Sequence, residues 1–299
     1  VLQSYSPAKI KALLQSMKLP YSAEQIEEIK EELYQKAKEL RTRELPENLF
    51  CLFIDGYHTS IKDEEVGRVR KAVVYVCIGI DLEGRKTFLG YYVYWGSESR
   101  EDWLEILNDL IKRGLKRVML IVSDDFTGLS SSISALFPET DHQLCLIHMQ
   151  RNLRRNMSKG DVKVFHEELQ IIKRLNDFEK AVVRFEDLCR RFEKKYPAYI
   201  KSLITKKEKY FQYLKYPEGV RKHIYTTNVV ENINSRLELV RTNTGGYFQS
   251  MRTAEVAIYV TLSRIEKTKW KNPMPLVKSA LYEIRQLFNA KFFKQTQFS

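Results

Sequence analysis

The spacing of apolar positions changes several times along the chain. Residues 5–45 show helical spacing: one helix opens at Ser6-Pro7 and runs to about Met17, and a second opens at Ser22 and runs to about Thr42 with Glu and Lys mixed along it. Leu49-Phe50-Cys51-Leu52-Phe53-Ile54 is then apolar throughout, the pattern of a strand buried on both faces, and it ends in Asp55-Gly56 before a polar loop. Residues 71–80 and 86–95 read as two further strands, joined by a Gly-containing turn into an antiparallel hairpin. Residues 97–113 carry a helical stripe that includes Trp103, Ile106, Leu107 and Leu110, and Gly114 stops it. Residues 118–122 form a second fully apolar strand, ending in Ser123-Asp124-Asp125. A helix over 129–136, a short strand over 142–147 and a basic helix over 148–156 follow.

From 160 to 220 the pattern is helical only, with helices expected over 162–175, 177–195 and 199–213 and breaks at Tyr196-Pro197 and Tyr216-Pro217. Thr226-Thr227-Asn228-Val229-Val230-Glu231-Asn232-Ile233-Asn234 then opens a helix whose buried face is Val230, Ile233, Leu237 and Val240. A loop over 241–248, a helix over 253–267 and a last helix over 277–288 complete the order. The expected fold class is α/β: a mixed sheet with an all-α insertion and flanking N-terminal helices. The expected divisions are an N-terminal helical region (1–47), a first catalytic part (48–158), the insertion (159–222) and a second catalytic part (223–299).

Charge narrows the class of partner. The chain carries a net charge of +12, and residues 151–222 hold 20 Lys and Arg against 10 Asp and Glu. That concentration suggests a phosphate-binding surface, nucleic acid before membrane. Aromatic residues lie among these cations, where they either stack on bases or fill a helical core. No apolar run is long enough to span a bilayer, and there is no signal-peptide pattern. The first residue is Val, so a fragment or processed chain is expected. Four scattered cysteines form no disulfide framework, which fits a reducing cytosol.

Three acids are the candidate chemistry. Asp55 and Asp124 each follow an apolar strand, and Glu231 lies in the first turn of its helix on the polar side. Each has a plain reading: a turn residue for the aspartates, and for Glu231 the carboxylate of a capping box opened by Asn228. Together they suit a two-metal phosphoryl-transfer site, and the element order is compatible with a ribonuclease-H-like fold in which the first and fourth strands are neighbours. Arg151, Arg154, Arg155, Arg236 and Arg241 are candidate phosphate contacts, with Asn228 and Asn234 as polar candidates for DNA. Cys145 and His148 are too few for a zinc site, and either position the fifth strand and the helix after it or touch DNA.

The chain resembles the Mutator-type bacterial insertion-sequence transposases, a DDE family, from about residue 49 to 266. The resemblance rests on Phe53-Ile54-Asp55-Gly56, the stretch 76–84, Glu98-Ser99 with Trp103, Ile121-Val122-Ser123-Asp124, Cys145-Leu146-Ile147-His148 with Arg151-Asn152, Tyr216-Pro217, and above all Thr226-Thr227-Asn228 with Glu231 and Asn234. It implies Asp55, Asp124 and Glu231 as ligands of two Mg²⁺ ions, for which Mn²⁺ can substitute. It implies nicking at terminal inverted repeats of double-stranded DNA, strand transfer to target DNA by the freed 3′-hydroxyl, and a circular intermediate. It further implies a homodimer on paired ends, a cytoplasmic nucleoid-associated location in bacteria, and a helix-turn-helix region ahead of this stretch. The chain departs from the family at Asp125, where relatives usually have Gly or Ala; Asp124, directly after the strand, matches better. It also departs at His58 and Ser60, and lacks a tryptophan near Leu203. The rival readings are an inactive DNA-binding relative and a structure-selective nuclease of the same fold.

Overall fold

The computed structural model describes residues 23–293, so the helix expected over 5–17 lies outside the described residues. In chain order, α1 (Ala23–Thr42) leads to β1 (Asn48–Asp63), β2 (Arg68–Ile80), β3 (Lys86–Trp95), α2 (Arg100–Lys112), β4 (Arg117–Ser123), α3 (Leu129–Leu136) and β5 (Asp141–Leu144). Next come α4 (Leu146–Asn156), α5 (Lys159–Ile172), α6 (Phe178–Phe192), α7 (Pro197–Thr205), two 3₁₀ turns (Lys207–Tyr210 and Gln212–Lys215) and α8 (Glu218–Ile224). The chain ends with α9 (Asn228–Asn243), α10 (Met251–Thr268), α11 (Pro275–Ser279) and α12 (Leu281–Phe292).

The two fully apolar strands take central places, where both faces are covered. The sheet runs β3-β2-β1-β4-β5, with β1 antiparallel to β2, β2 antiparallel to β3, and β1, β4 and β5 mutually parallel. On one face α2 packs Trp103, Ile106, Leu107 and Leu110 against Leu52, Ile54, Val73 and Tyr75. On the other, Val230, Ile233 and Leu237 of α9 and Ile258 and Leu262 of α10 join Cys51, Phe53, Val74 and Val76.

β1 departs from its expected length. It does not end at Asp55 but runs to Asp63, so the loop expected after Gly56 is strand. Its parallel ladder with β4 stops at Phe53↔Val122, while the antiparallel ladder with β2 continues from Gly56↔Tyr75 to Asp63↔Arg68. The polar extension holds because Ile61 is buried against Phe248, and Lys62 N donates to the Phe248 carbonyl at 2.8 Å.

β5 stops at Leu144, because Cys145 already serves as N-cap residue of α4. The helix expected over 199–213 ends at Thr205. Tyr210, Phe211, Gln212, Tyr213 and Leu214 are all buried, and five consecutive inward residues do not fit one face of an α-helix. The chain tightens into 3₁₀ turns instead. α8 has no counterpart in the expected order, and the last helix divides at Ala280 into α11 and α12.

The aromatic residues of the helical segment are mainly core. Phe165, Phe185, Phe211, Tyr210, Tyr213 and Tyr216 are buried in the same apolar cluster as the sheet residues Phe50, Phe53 and Leu144. The buried Gln143 of β5 ties the segment down: its Nε2 donates to the Tyr210 carbonyl at 3.0 Å, and its Oε1 accepts from Tyr213 N at 2.9 Å. Among the described residues no helix is long and apolar enough to cross a membrane.

This shared core implies one cooperative unit. In urea, helix content read by circular dichroism and burial read by tryptophan fluorescence should fall together. Phe211→Ala should lower both midpoints by a cost of about 3–5 kcal/mol. A separate, earlier transition of the helical segment in the unsubstituted chain would contradict the shared core.

Candidate active site

Asp55 and Asp124 each lie two residues beyond the last parallel pair, Phe53↔Val122, on strands about 5 Å apart. Asp55 is only 4% exposed. Its Oδ1 accepts from Gly56 N at 3.1 Å, and its Oδ2 accepts from Asn234 Nδ2 of α9 at 3.0 Å. Burial pushes the Asp55 carboxyl well above its usual range; the Asp124 charge adds to this, and His148 opposes it. Asp124 is raised to about 6, by burial first and then by the charge of Glu98. Asp124 Oδ1, Asn234 Oδ1 and His148 Nδ1 are buried without a hydrogen-bond partner. Asn234 therefore reaches the Asp55 carboxyl with one amide atom and leaves the other buried without a partner.

Asp125 turns elsewhere. Its carboxylate pairs with Lys206 of the helical segment at 2.7 Å. The two adjacent aspartates therefore have different surroundings, and Asp124 is the one whose charge is felt at Asp55.

Glu231 approaches from α9. Its carboxylate accepts from Arg151 Nη1 at 2.6 Å, and His148 Nε2 lies 3.6 Å away. It caps nothing. The N-cap residue is Thr227, not Asn228, with no side-chain cap bond, so the third helical position belongs to Val230 and a capping box cannot form at Glu231. What positions this helix start is Cys145, whose Sγ accepts from Thr227 N and Oγ1, both at 3.4 Å. Leu146 N adds a bond to the Tyr225 carbonyl at 3.2 Å. Cys145 thus fastens the start of α4 to the start of α9, and Arg151 and His148 face Glu231 from α4. Among the described residues no three His, Cys, Asp or Glu side chains are grouped closely enough to hold a metal ion together. Arg151 engages the Glu231 carboxylate, whose charge is still among those felt at Asp55.

A fourth carboxylate carried no role in the sequence reading. Glu98 precedes the N-cap Ser99 of α2, and its side chain is only 7% exposed. Its Oε1 accepts from the Trp103 indole Nε1 at 2.7 Å. Its Oε2 lies 3.7 Å from His58 Nε2, and would lie 3.3 Å from a Cβ added at Gly56. The Glu98 charge is the largest electrostatic influence on Asp124 and holds His58 above its usual range. The available signal was Trp103 itself: a fully buried indole needs an acceptor for its N–H.

The other candidates divide. Arg154 and Arg155 are exposed on α4. Arg236 donates to Asn232 Oδ1 at 3.1 Å. Arg241 is bound to Glu238 and to the Gly246 carbonyl, which closes the loop after α9 and leaves its guanidinium engaged within the chain. Asn228 is exposed as the first residue of α9.

Comparison with known proteins places the chain in a family. The chain is 32% identical over 246 residues to the transposase for insertion sequence element ISRM3 of Rhizobium meliloti, covering 81% of this chain and 60% of that protein. It is 30% identical over 218 residues to the transposase for IS905 of Lactococcus lactis, covering 73% of this chain and 54% of the relative. The chain thus spans about 60% or less of the length of these relatives. A solved Drosophila P element transposase strand transfer complex aligns over 98% of this chain at 12% identity, with a TM-score of 0.34, too low to define a common fold. The family model described as "Transposase, Mutator family" matches residues 2–272, and by that match over most of its length the chain belongs to the Mutator family of transposases.

Proposed function

We propose that this chain holds the catalytic part of a metal-dependent DDE transposase with a ribonuclease-H-like fold. The sheet order, three antiparallel strands followed by two parallel ones, supports the fold. The observation that carries the function is the pair of buried aspartates on neighbouring parallel strands, with Asp124 Oδ1 unpartnered and Glu231 facing them from α9. Asp55, Asp124 and Glu231 would hold two Mg²⁺ ions, or Mn²⁺ in their place, with Glu98 beside Asp124 as a further acid. The donor set fits: it is carboxylate and carboxamide oxygen, the chemistry that hard divalent cations select. Bound there, such ions supply positive charge at the attacking and leaving oxygens of a phosphoryl transfer.

The chain's own residues have distinct tasks. Asn234 orients Asp55, and the Trp103 indole orients Glu98. Arg151 neutralises Glu231 until a DNA phosphate competes for the guanidinium. Arg154, Arg155, Arg236 and the basic surplus of 151–222 offer phosphate contacts to double-stranded DNA at the terminal inverted repeats and at the target. The freed 3′-hydroxyl is then the nucleophile for strand transfer, and two copies of the chain act on paired ends.

Three outcomes test this reading. With labelled element-end DNA and Mg²⁺ or Mn²⁺, Glu231→Gln should reduce cleavage at least about 100-fold while DNA binding and melting temperature hold; a pre-nicked 3′-hydroxyl end separates strand transfer from nuclease action. Retained cleavage in that variant would remove Glu231 from the site. Arg151→Gln should act in opposite directions, strengthening Mn²⁺ binding to the free protein by releasing Glu231 and weakening DNA cleavage. A fall in both would place Arg151 in a purely structural role.

The third outcome concerns pH. The folded-state pKa of Asp124 is raised from 3.8 to about 6, so its protonated form is favoured in the folded protein. That contribution to stability is full below pH 4 and is lost as pH rises through about 6. In EDTA, Asp124→Asn should therefore raise stability by on the order of 2 kcal/mol at pH 8 and leave it unchanged near pH 4. Equal stability at both pH values would show that Asp124 is not held in a charge-excluding site.

A further inference from the structure

Beside α9 lies a cavity of about 340 Å³, within the size range of small-ligand sites. Its rim carries Lys86, Lys222 and Lys269, and one wall is the Trp270 indole. No carboxylate lines it, and among the described residues none of these three lysines forms an ion pair. Like charges gathered without a counter-charge are unfavourable unless an anion joins them. Burial lowers Lys86, and His223 in the same lining is lowered first by burial and then by the charges of Lys222 and Lys86.

The aromatic wall is held in place. Trp270 stacks on the buried Phe88, with centroids 4.5 Å apart and planes 27° from parallel, and the Lys86 ammonium lies 5.7 Å from the indole centroid. Aromatic faces beside lysines are what single-stranded nucleic acid uses: bases stack while phosphates meet cations. Asn228 and Asn232 add hydrogen-bonding groups to the lining.

Position links the cavity to the acidic cleft. Its floor includes Phe53, two residues before Asp55, and Ile233, the neighbour of Asn234. α9 lines both sites, with Asn228, Asn232 and Ile233 at the cavity and Glu231 and Asn234 at the cleft. We propose that this cavity receives one unpaired nucleotide of the DNA strand that crosses α9, its base against Trp270 and its phosphates among Lys86, Lys222 and Lys269. This rests on the reading of the chain as a DNA-strand-transfer enzyme, and it adds a place where a nucleotide near the reacting end leaves the duplex.

The test is a titration of the chain in EDTA with a single-stranded oligonucleotide of about ten residues carrying one 2-aminopurine, repeated in the Glu231→Gln background. The 2-aminopurine emission should be quenched saturably. Lys269→Glu should weaken binding at least about tenfold more than Lys267→Glu, which makes the same charge change on an exposed residue outside the lining. Trp270→Tyr should keep most of the quenching and Trp270→Ala should lose it; if the alanine variant fails to fold, the two lysine variants decide. Equal effects of the two lysine changes would overturn the proposal, because they would mean diffuse attraction. Inorganic phosphate displacing the oligonucleotide as well as 5′-dAMP does, at matched ionic strength, would also overturn it, because the cavity would then read phosphate and not base. Metal-free binding separates the two proposals. Loss of the cavity signal with intact cleavage refutes only the nucleotide pocket, and the reverse result refutes only the metal-dependent reading.

Discussion

The β1–β4 ladder, and the point at which it stops, governs the rest of this molecule. Parallel strands hold a fixed spacing, and here the pairing ends at Phe53 and Val122, so Asp55 and Asp124 are carried into the same small volume. Two carboxylates drawn together out of water repel each other and resist ionisation. They stay together because neither can leave: one is mid-strand in a continuing antiparallel ladder, and the other follows a strand buried to its last residue. The apolar packing on both faces maintains an arrangement that electrostatics alone would disperse.

A second set of contacts brings in parts remote in sequence. α9 is placed by its apolar stripe, but its end-on position is set by polar contacts: Cys145 to Thr227, Leu146 to Tyr225, and Asn234 to Asp55. Arg151 and Glu231 then meet across the gap between α4 and α9. α2 performs the corresponding task from the opposite face. Trp103 lies in the core, yet its one polar atom reaches Glu98 at the edge of the cleft. The smallness of Gly56 lets that carboxylate approach the central strand.

Much of this was legible in the sequence where one local pattern decides the structure. The run Leu49–Ile54 had to be a covered strand, and β3 and α3 have their expected bounds. The failures have a common cause. The polar second half of β1 is strand only because distant Phe248 and the start of β2 complete it. The 3₁₀ turns after α7 exist because five consecutive residues turn inward, which no single-period template represents. Glu98 stands in the sequence as part of the Glu98-Ser99 stretch with Trp103, but its place beside Asp124 follows from the indole five residues away. The expected cap at Asn228 failed by one residue, which is enough to move Glu231 out of capping range and into the reach of Arg151.

The tie between Gln143 and the 3₁₀ turns also has a mechanical side. Strand β5 is joined to β4 by its ladder, and Ser123 ends that ladder one residue before Asp124. The Gln143 carboxamide grips the main chain at Tyr210 and Tyr213, and Lys206 grips Asp125. The helical segment is thereby fastened to the residues beside Asp124 by short polar links. With the core it shares with the sheet, this leaves the segment no way to shift without disturbing the strand ends that carry the two aspartates.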